Sequence, residues 1–533
     1  MSDKRNFLSR IQQLLTLDNA LCLILSICCS FNAFCSINMS SGFQGVNNYS
    51  LPICIFIASV AFCIFKFVFK KTSNIQLTSH GDFKKRELSV YASLILIACT
   101  ISVLWNYPAS MHNDAINQYH QAISGQYNDT HPLLHTLIFF KIPSIIWNSY
   151  TSCAIFQCLF IFVILIYFCY FSRKYFLNQT QTIVLLTYIL INPTFLKMAT
   201  TPLKDVPFSY CLMIGTMFLI EIIITSGEWL ETTRNKILFC LMCLGVVFFR
   251  HNGIASFILM TIPLIVVYKT NRKLLVTLFI VFTTSKIMIA PILNILRSEE
   301  SWPASEIIGV PLNHPLNTIS YIYNNNGIVS EHNMEIMSNI NRLENWRKYY
   351  DKYSFYNLKK AQNGYNDTYV AQNWDSILKT WLQMTYTNPV LAIKSEVYIT
   401  SGIWRISNTF NFMSKKHLQV NYTGPQWISR IMNGYVQILQ RTHLKNIMID
   451  GGEGLLFILI SLCLTIRKKQ HNKKAYLPYV LVLSNVLVIT CLVTSGTPRF
   501  VYSSILCAYP LILYALYNKQ TKMATSNNEL TLA

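Results

Sequence analysis

A chain that repeats an apolar run of about 20 residues has few ways to fold. A helix of that length matches the thickness of a bilayer, and lipid tolerates only helices or closed barrels as spanning structures. About twelve such runs occur, near 19–38, 51–69, 88–106, 150–171, 181–199, 207–226, 234–250, 253–268, 274–295, 453–467, 476–494 and 499–517. Hydrophobic residues make up 52% of the 533 and charged residues 13%, against about 25% charged in soluble domains. A soluble enzyme, a disordered chain and a coiled coil are therefore excluded. The expected fold is an all-α polytopic membrane protein with about twelve transmembrane helices.

The formal net charge of +21 fits cytoplasmic-loop bias better than a nucleic-acid footprint, because no basic stripe is interleaved with aromatics. All sixteen cysteines fall within apolar runs and none in the one long polar region, which excludes a disulfide-stapled ectodomain. Cys240 and Cys243 form a CxxC inside an apolar helix, where packing explains them better than metal or redox chemistry.

The positive-inside rule gives an orientation. With Lys4, Arg5 and Arg10 in the cytoplasm, the inside loops hold Lys84, Lys85 and Arg86, Arg173 and Lys174, Arg234 and Lys236, Arg272 and Lys273, and Lys473 and Lys474, and the tail holds Lys519 and Lys522. Residues 132–149 must then stay out of the membrane, since a span there would invert every later loop. They read as an amphipathic helix on the outer face, interrupted by Pro143. The expected organisation is an N-terminal transmembrane module over 1–295 with outer loops at 107–150, 192–206 and 250–252. A mixed, mainly helical periplasmic domain follows over 296–452, then C-terminal helices and a cytoplasmic tail over 453–533.

Ionisable residues close to the membrane are the places to look for function, and four stretches gather them on the outer face. In HNDAINQYHQAISGQYNDTHP, Asp114, Gln118 and Gln121 share a helical face, Asn113 precedes Asp114, Gly125 ends the helix and His131 opens the interfacial segment. The bland explanation is a solvated loop with a capping Asp; the density of uncharged polar groups instead suits a polyhydroxylated ligand. In TTPLKDVPF, Lys204 and Asp205 precede an apolar run that a helix-start Asp would also explain. In FFRHNG, Arg250 and His251 separate two short apolar runs, and Arg is the preferred bidentate partner of phosphate. In TSGTPRFVY, Gly496 shapes the turn before Arg499, which simple snorkelling would account for. Together they supply one candidate base and three candidate cations, as transfer from a lipid-linked phosphate donor would need.

At these residues the sequence resembles the GT-C superfamily of polytopic glycosyltransferases that use polyprenyl-phosphate sugars, and it is similar to the bacterial and phage serotype-converting O-antigen glucosyltransferases. The resemblance rests on HNDAINQYHQAISGQYNDTHPLLHT followed by PLKDVPF and RHNG. It implies that Asp114 is the catalytic base of an inverting transfer of a sugar, expected to be glucose, to a periplasmic acceptor such as O-antigen of lipopolysaccharide. Lys204, Arg250 and Arg499 would bind the donor phosphate. Asn113, Gln118, Gln121, His131, Asp205 and His251 would bind or orient substrate. Some members of the superfamily hold a divalent metal, but Asp114 and Asp129 make no tight carboxylate pair, so neither metal nor cofactor is expected. The expected partners are the polyprenyl-phosphate donor, a lipid-linked or polymeric glycan acceptor and membrane lipid, without nucleic acid, and the expected location is a bacterial inner membrane with both termini cytoplasmic.

Two rivals remain. A polysaccharide polymerase or ligase would rely on Arg and His to hold a pyrophosphate-linked donor. A transporter would place polar groups at mid-membrane and show paired broken helices or repeats, and no repeat is visible.

Overall fold

Local side-chain caps set the start of several helices. The Ser149 hydroxyl accepts from the Thr151 N–H and opens Tyr150–Tyr175. Asn178 and Gln181 form a reciprocal capping box at the start of Gln179–Ile191, each satisfying a backbone N–H that the helix itself leaves unpaired. In the computed structural model, residues 16–40, 43, 50–73, 75, 77, 83–128, 131–296, 311–406, 423–442, 452–469, 472–492 and 498–517 are described. Lys4, Arg5, Arg10, Asp129, Gly496, Lys519 and Lys522 lie outside them. Every named element among the described residues is a helix; no strand occurs among them, and β-bridging is confined to isolated positions such as the pair Leu77 and Tyr517.

Six described helices are long and apolar enough to cross a membrane: Leu17–Met39, Ser50–Thr72, Lys85–Trp105, Tyr150–Tyr175, Asp205–Ile224 and Lys473–Leu492. A seventh is reached if Gly253–Val267 and Lys269–Ile289, bent by 115°, count as one span. The twelve apolar runs therefore do not become twelve full-length helices. The run at 181–199 stops at Ile191, where Asn192 caps a separate short helix, Pro193–Met198, through the Thr194 N–H at 2.8 Å. The runs near 234–250, 453–467 and 499–517 become helices of 16, 17 and 15 residues. Apolar composition fixes what a segment avoids, whereas caps, prolines and turns fix its helical length.

Asp205–Ile224 is the hub. It packs against Thr233–Phe248, Leu477–Leu492 and Tyr502–Leu516, and its side chains are almost all buried. The C-terminal helices are thus built into the same core as the first half of the chain rather than forming a separate module. In lipid such packing rests on close van der Waals contact rather than hydrophobic driving force. Leu17–Ser40 and Ser50–Ser73 pair at the edge of the bundle and meet Gly452–Lys468 there, where Arg467 Nε reaches Asp18 Oδ1 at 2.8 Å.

The segment expected at the interface is the interrupted helix Leu133–Ile146. Its break is a π-helical turn at Leu137–Lys141, just before Pro143, which absorbs the hydrogen bond that proline cannot make. Ile145, Ile146 and Trp147 project outward from its end.

Residues 311–404 form a helical unit with its own core around Trp346, Phe355, Leu358 and Ile377. Pro389–Trp404 seats it on the bundle, touching the turn Pro498–Phe500 and Gly452–Lys468. The amphipathic helix Gln426–Arg441 does not share that core, contrary to the expected 296–452 boundary. It lies along Lys85–Trp105, with Ile428, Met432 and Val436 facing the bundle core and Trp427, Ile431 and Ile438 exposed.

At the bundle end opposite the site described below, ion pairs replace loose loop charge. Arg173 binds both carboxylate oxygens of Glu87, at 2.7 and 3.2 Å, with both side chains buried. Lys174 meets Glu221 at 3.3 Å, and the Tyr167 hydroxyl donates to the same carboxylate.

Candidate active site

Four helix termini meet at one end of the bundle. Asp114 lies in the first turn of Asn113–Ser124. Lys204 and Asp205 open Asp205–Ile224, where the positive end of the helix dipole favours a carboxylate. Arg250 follows Thr233–Phe248, and Arg499 lies in the short turn before Tyr502–Leu516.

Two glycines allow this approach. Gly125 ends the Asp114 helix with φ of 77°, a conformation that strains other residues, and its N–H bonds the Gln121 carbonyl at 3.0 Å. Gly253 tightens the Arg250 turn: a Cβ there would overlap the Val246 carbonyl oxygen and crowd Phe208.

A buried glutamine holds the loop before Lys204. Gln157 Nε2 lies 2.9, 3.1 and 2.9 Å from the carbonyl oxygens of Met198, Ala199 and Thr201. The Ser110 N–H bonds the Thr200 carbonyl at 3.1 Å and ties the loop before Asp114 to the loop before Lys204.

Asp205, 1% exposed, lies at the centre. Its Oδ1 is 3.1 Å from Arg250 Nε, and its Oδ2 is 3.9 Å from Arg499 Nε. Arg499 then extends Nη1 to Asp114 Oδ2 at 3.3 Å. The Phe500 ring lies against both guanidiniums, 5.0 Å from Arg250 and 4.9 Å from Arg499. Lys204 Nζ approaches His131 Nδ1 at 3.0 Å. Two carboxylates and three cations are thus interlocked, and the two carboxylates differ: Asp205 is sealed, whereas the Asp114 side chain is 31% exposed.

Charge states follow from these neighbours. Burial works to raise the Asp114 carboxyl, but Arg499, Lys204, His131 and His112 outweigh it and hold it well below the usual carboxylate range. Burial, reinforced by Lys204, pushes the His131 imidazole down to about 4, so it is neutral at pH 7 and Nδ1 accepts from the Lys204 ammonium. Burial also lowers Lys204 against the pull of Asp114 and Asp205. For Arg499, Asp114 and Asp205 together outweigh burial and secure its charge.

The residues singled out in the sequence separate into groups. Asp114, His131, Lys204, Asp205, Arg250 and Arg499 come together. Gln118 and Gln121 do not face a ligand space, contrary to expectation. Buried Gln118 turns its Nε2 to His135 Nδ1 and Thr136 Oγ1, each at 2.9 Å. Gln121 binds Asn117 at 2.6 Å and Asn128 at 2.9 Å, pinning the loop after its helix. Asn113 is exposed beside Asp114. His251 turns toward Lys286, Nδ1 to Nζ 3.3 Å. Gln157 and Lys286 escaped the sequence reading, although each is a polar side chain in an apolar helix, the usual signal of a function at membrane depth.

No group of three or more His, Cys, Asp or Glu side chains converges for a metal among the described residues. Fold and site define the class, an all-α membrane protein with a carboxylate–cation cluster at one end of its bundle. No known protein family, curated protein or solved structure matches the chain.

Proposed function

We propose that this protein is an integral-membrane inverting glycosyltransferase of GT-C type, which moves a sugar, with glucose the first candidate, from a polyprenyl-phosphate donor to a glycan acceptor such as O-antigen on the outer face of a bacterial inner membrane. The observation that carries this reading is the unequal pair of carboxylates within one cation cluster. Asp205 is buried and organises Arg250 and Arg499. Asp114 is reachable and shares Arg499.

Asp114 takes the proton of the acceptor hydroxyl, and the oxygen attacks the anomeric carbon from the face opposite the phosphate. The bond from that carbon to the phosphate oxygen breaks, and its electron pair leaves with the polyprenyl phosphate. Lys204, Arg250 and Arg499 stabilise the growing charge. At rest Arg499 suppresses the basicity of Asp114, and a phosphate that draws Arg499 away restores it. Three cations against two carboxylates leave one positive charge, which suits the single negative charge of a phosphodiester donor.

An apolar groove supports a lipid-linked donor. A hollow of about 480 Å³ is lined by Leu177, Thr180, Gln181, Val184, Leu185 and Leu513, and an adjoining one of about 260 Å³, which shares Leu185 and Tyr188, is lined by Asn192, Glu453 and Tyr509. Its upper end touches Tyr502, three residues beyond Arg499 and hydrogen-bonded to Tyr210 at 3.1 Å.

The test is sugar transfer in nanodiscs from polyprenyl-phosphate glucose, alongside other polyprenyl-phosphate sugars, to an O-antigen acceptor. Transfer by wild type but not by Asp114→Asn supports the reading. Turnover only of diphosphate-linked donors would replace it with a polymerase or ligase.

A further inference from the structure

Glu453 is a buried carboxylate, 8% exposed, that the proposed transfer does not use. It lies in the first turn of Gly452–Lys468, where the positive end of the helix dipole favours the ionised form. The glycines on either side of it are tightly seated. A Cβ on Gly452 would overlap the Arg405 carbonyl oxygen, and one on Gly454 would crowd the Ile505 amide nitrogen. The helix start is thereby pressed onto Tyr502–Leu516, and Glu453 lines the hollow of about 260 Å³ beside it. An ionisable side chain within a membrane bundle is a mark of function.

The other polar groups around this hollow belong to Tyr188, Tyr509 and Asn192, and no Lys or Arg is among its described lining residues. The Tyr188 and Tyr509 rings meet edge-on, with centres 6.3 Å apart and planes at 80°. A phosphate entering here finds an anion and no cation. An ammonium finds a carboxylate to accept its N–H groups and two aromatic rings that attract positive charge. The adjoining hollow of about 480 Å³ shares Leu185 and Tyr188 and is walled mainly by apolar side chains such as Leu177, Val184 and Leu513. It offers room for hydrocarbon, which a water-soluble amine or a bare metal ion would leave unused.

We infer that the Glu453 hollow is a lipid site, which takes the primary ammonium of a phosphatidylethanolamine-type headgroup and seats a hydrocarbon chain in the adjoining hollow. The ammonium donates to the Glu453 carboxylate and lies against Tyr188 and Tyr509. This site goes beyond the transferase reading and does not need it. Because the apolar hollow is also the one offered to a donor chain, the two lipids compete for it.

The test uses the full-length protein in mild detergent, with phosphatidylethanolamine and phosphatidylglycerol of identical acyl chains as probes. Binding is measured by native mass spectrometry, and melting temperature reports folding. Wild type is expected to bind the ethanolamine lipid about tenfold more tightly, equivalent to about 1.4 kcal/mol. Glu453→Gln should bind the two lipids about equally. Tyr188→Leu keeps the carboxylate and removes one ring, and should reduce the preference about threefold. Equal binding of the two lipids by wild type, or a preference that persists in folded Glu453→Gln, would overturn the inference. If Glu453→Gln does not fold, Tyr188→Leu decides, and an undiminished preference there overturns it. None of these outcomes depends on sugar transfer, so the lipid site and the transferase reading stand or fall separately.

Discussion

Arg499 Nη1 meets Asp114 Oδ2 at 3.3 Å across 385 residues of sequence. The contact joins the first polar loop to the last and makes the most reachable carboxylate of the cluster dependent on a cation contributed by the C-terminal helices.

Asp114→Asn is expected to lower sugar transfer by a factor of about 10²–10⁴, the usual range for losing a general base, with expression and thermal stability close to wild type. Side-by-side transfer and melting measurements check this, and near-normal turnover would remove Asp114 from the mechanism.

Asp205→Asn should behave differently. Its carboxylate is buried between Arg250 and Arg499, and removing one partner of a buried pair costs about 3–5 kcal/mol. A lower melting temperature and reduced yield are expected along with lost activity. A stable but inactive variant would instead place Asp205 directly in the chemistry.

Arg499→Gln should move the acid limb of the pH–rate profile to higher pH. Arg499 is the strongest of the groups that depress Asp114. Without it burial raises the carboxyl, and a higher pH is needed to keep the base ionised. An unmoved limb would show that Asp114 is not the titrating base.

His131 predicts an acid sensitivity of the fold. Its imidazole is held down to about 4, whereas an unfolded histidine titrates near about 6.5. Between these values the unfolded state binds a proton that the folded state refuses, so stability falls as pH drops from about 6.5 toward 4. Melting at pH 7 and pH 5 should show a smaller difference for His131→Gln than for wild type.

Glu87→Gln serves as the contrasting case. Its partner Arg173 is buried at the far end of the bundle, so melting temperature should drop while donor and acceptor KM stay unchanged. Altered KM values would mean that the two ends of the bundle are coupled.

Much of the site was legible because its residues break local rules. On the orientation read from the sequence, Lys204, Arg250 and Arg499 would be cations where the positive-inside rule expects few, and Asp114 and Asp205 stand at helix starts. That residues 132–149 form an interrupted helix too short for a full span was legible as well, from the break that Pro143 implies. Gln118 and Gln121 misled, since helical spacing puts them on the same face as Asp114 without saying which neighbour takes their amides. His135, Thr136 and Asn128 take them in the fold. Arg173 read as loop charge because nothing local reveals Glu87, 86 residues away.

The sequence by itself determined an all-helical membrane architecture and the polar stretches that interrupt it, because hydropathy and charge act residue by residue. Tertiary structure alone decided which apolar runs become full-length helices, which carboxylate is sealed and which is reachable, and that Arg499 meets Asp114. Those are properties of packing between distant segments, where burial and the field of neighbouring charges depend on contacts that no local pattern encodes.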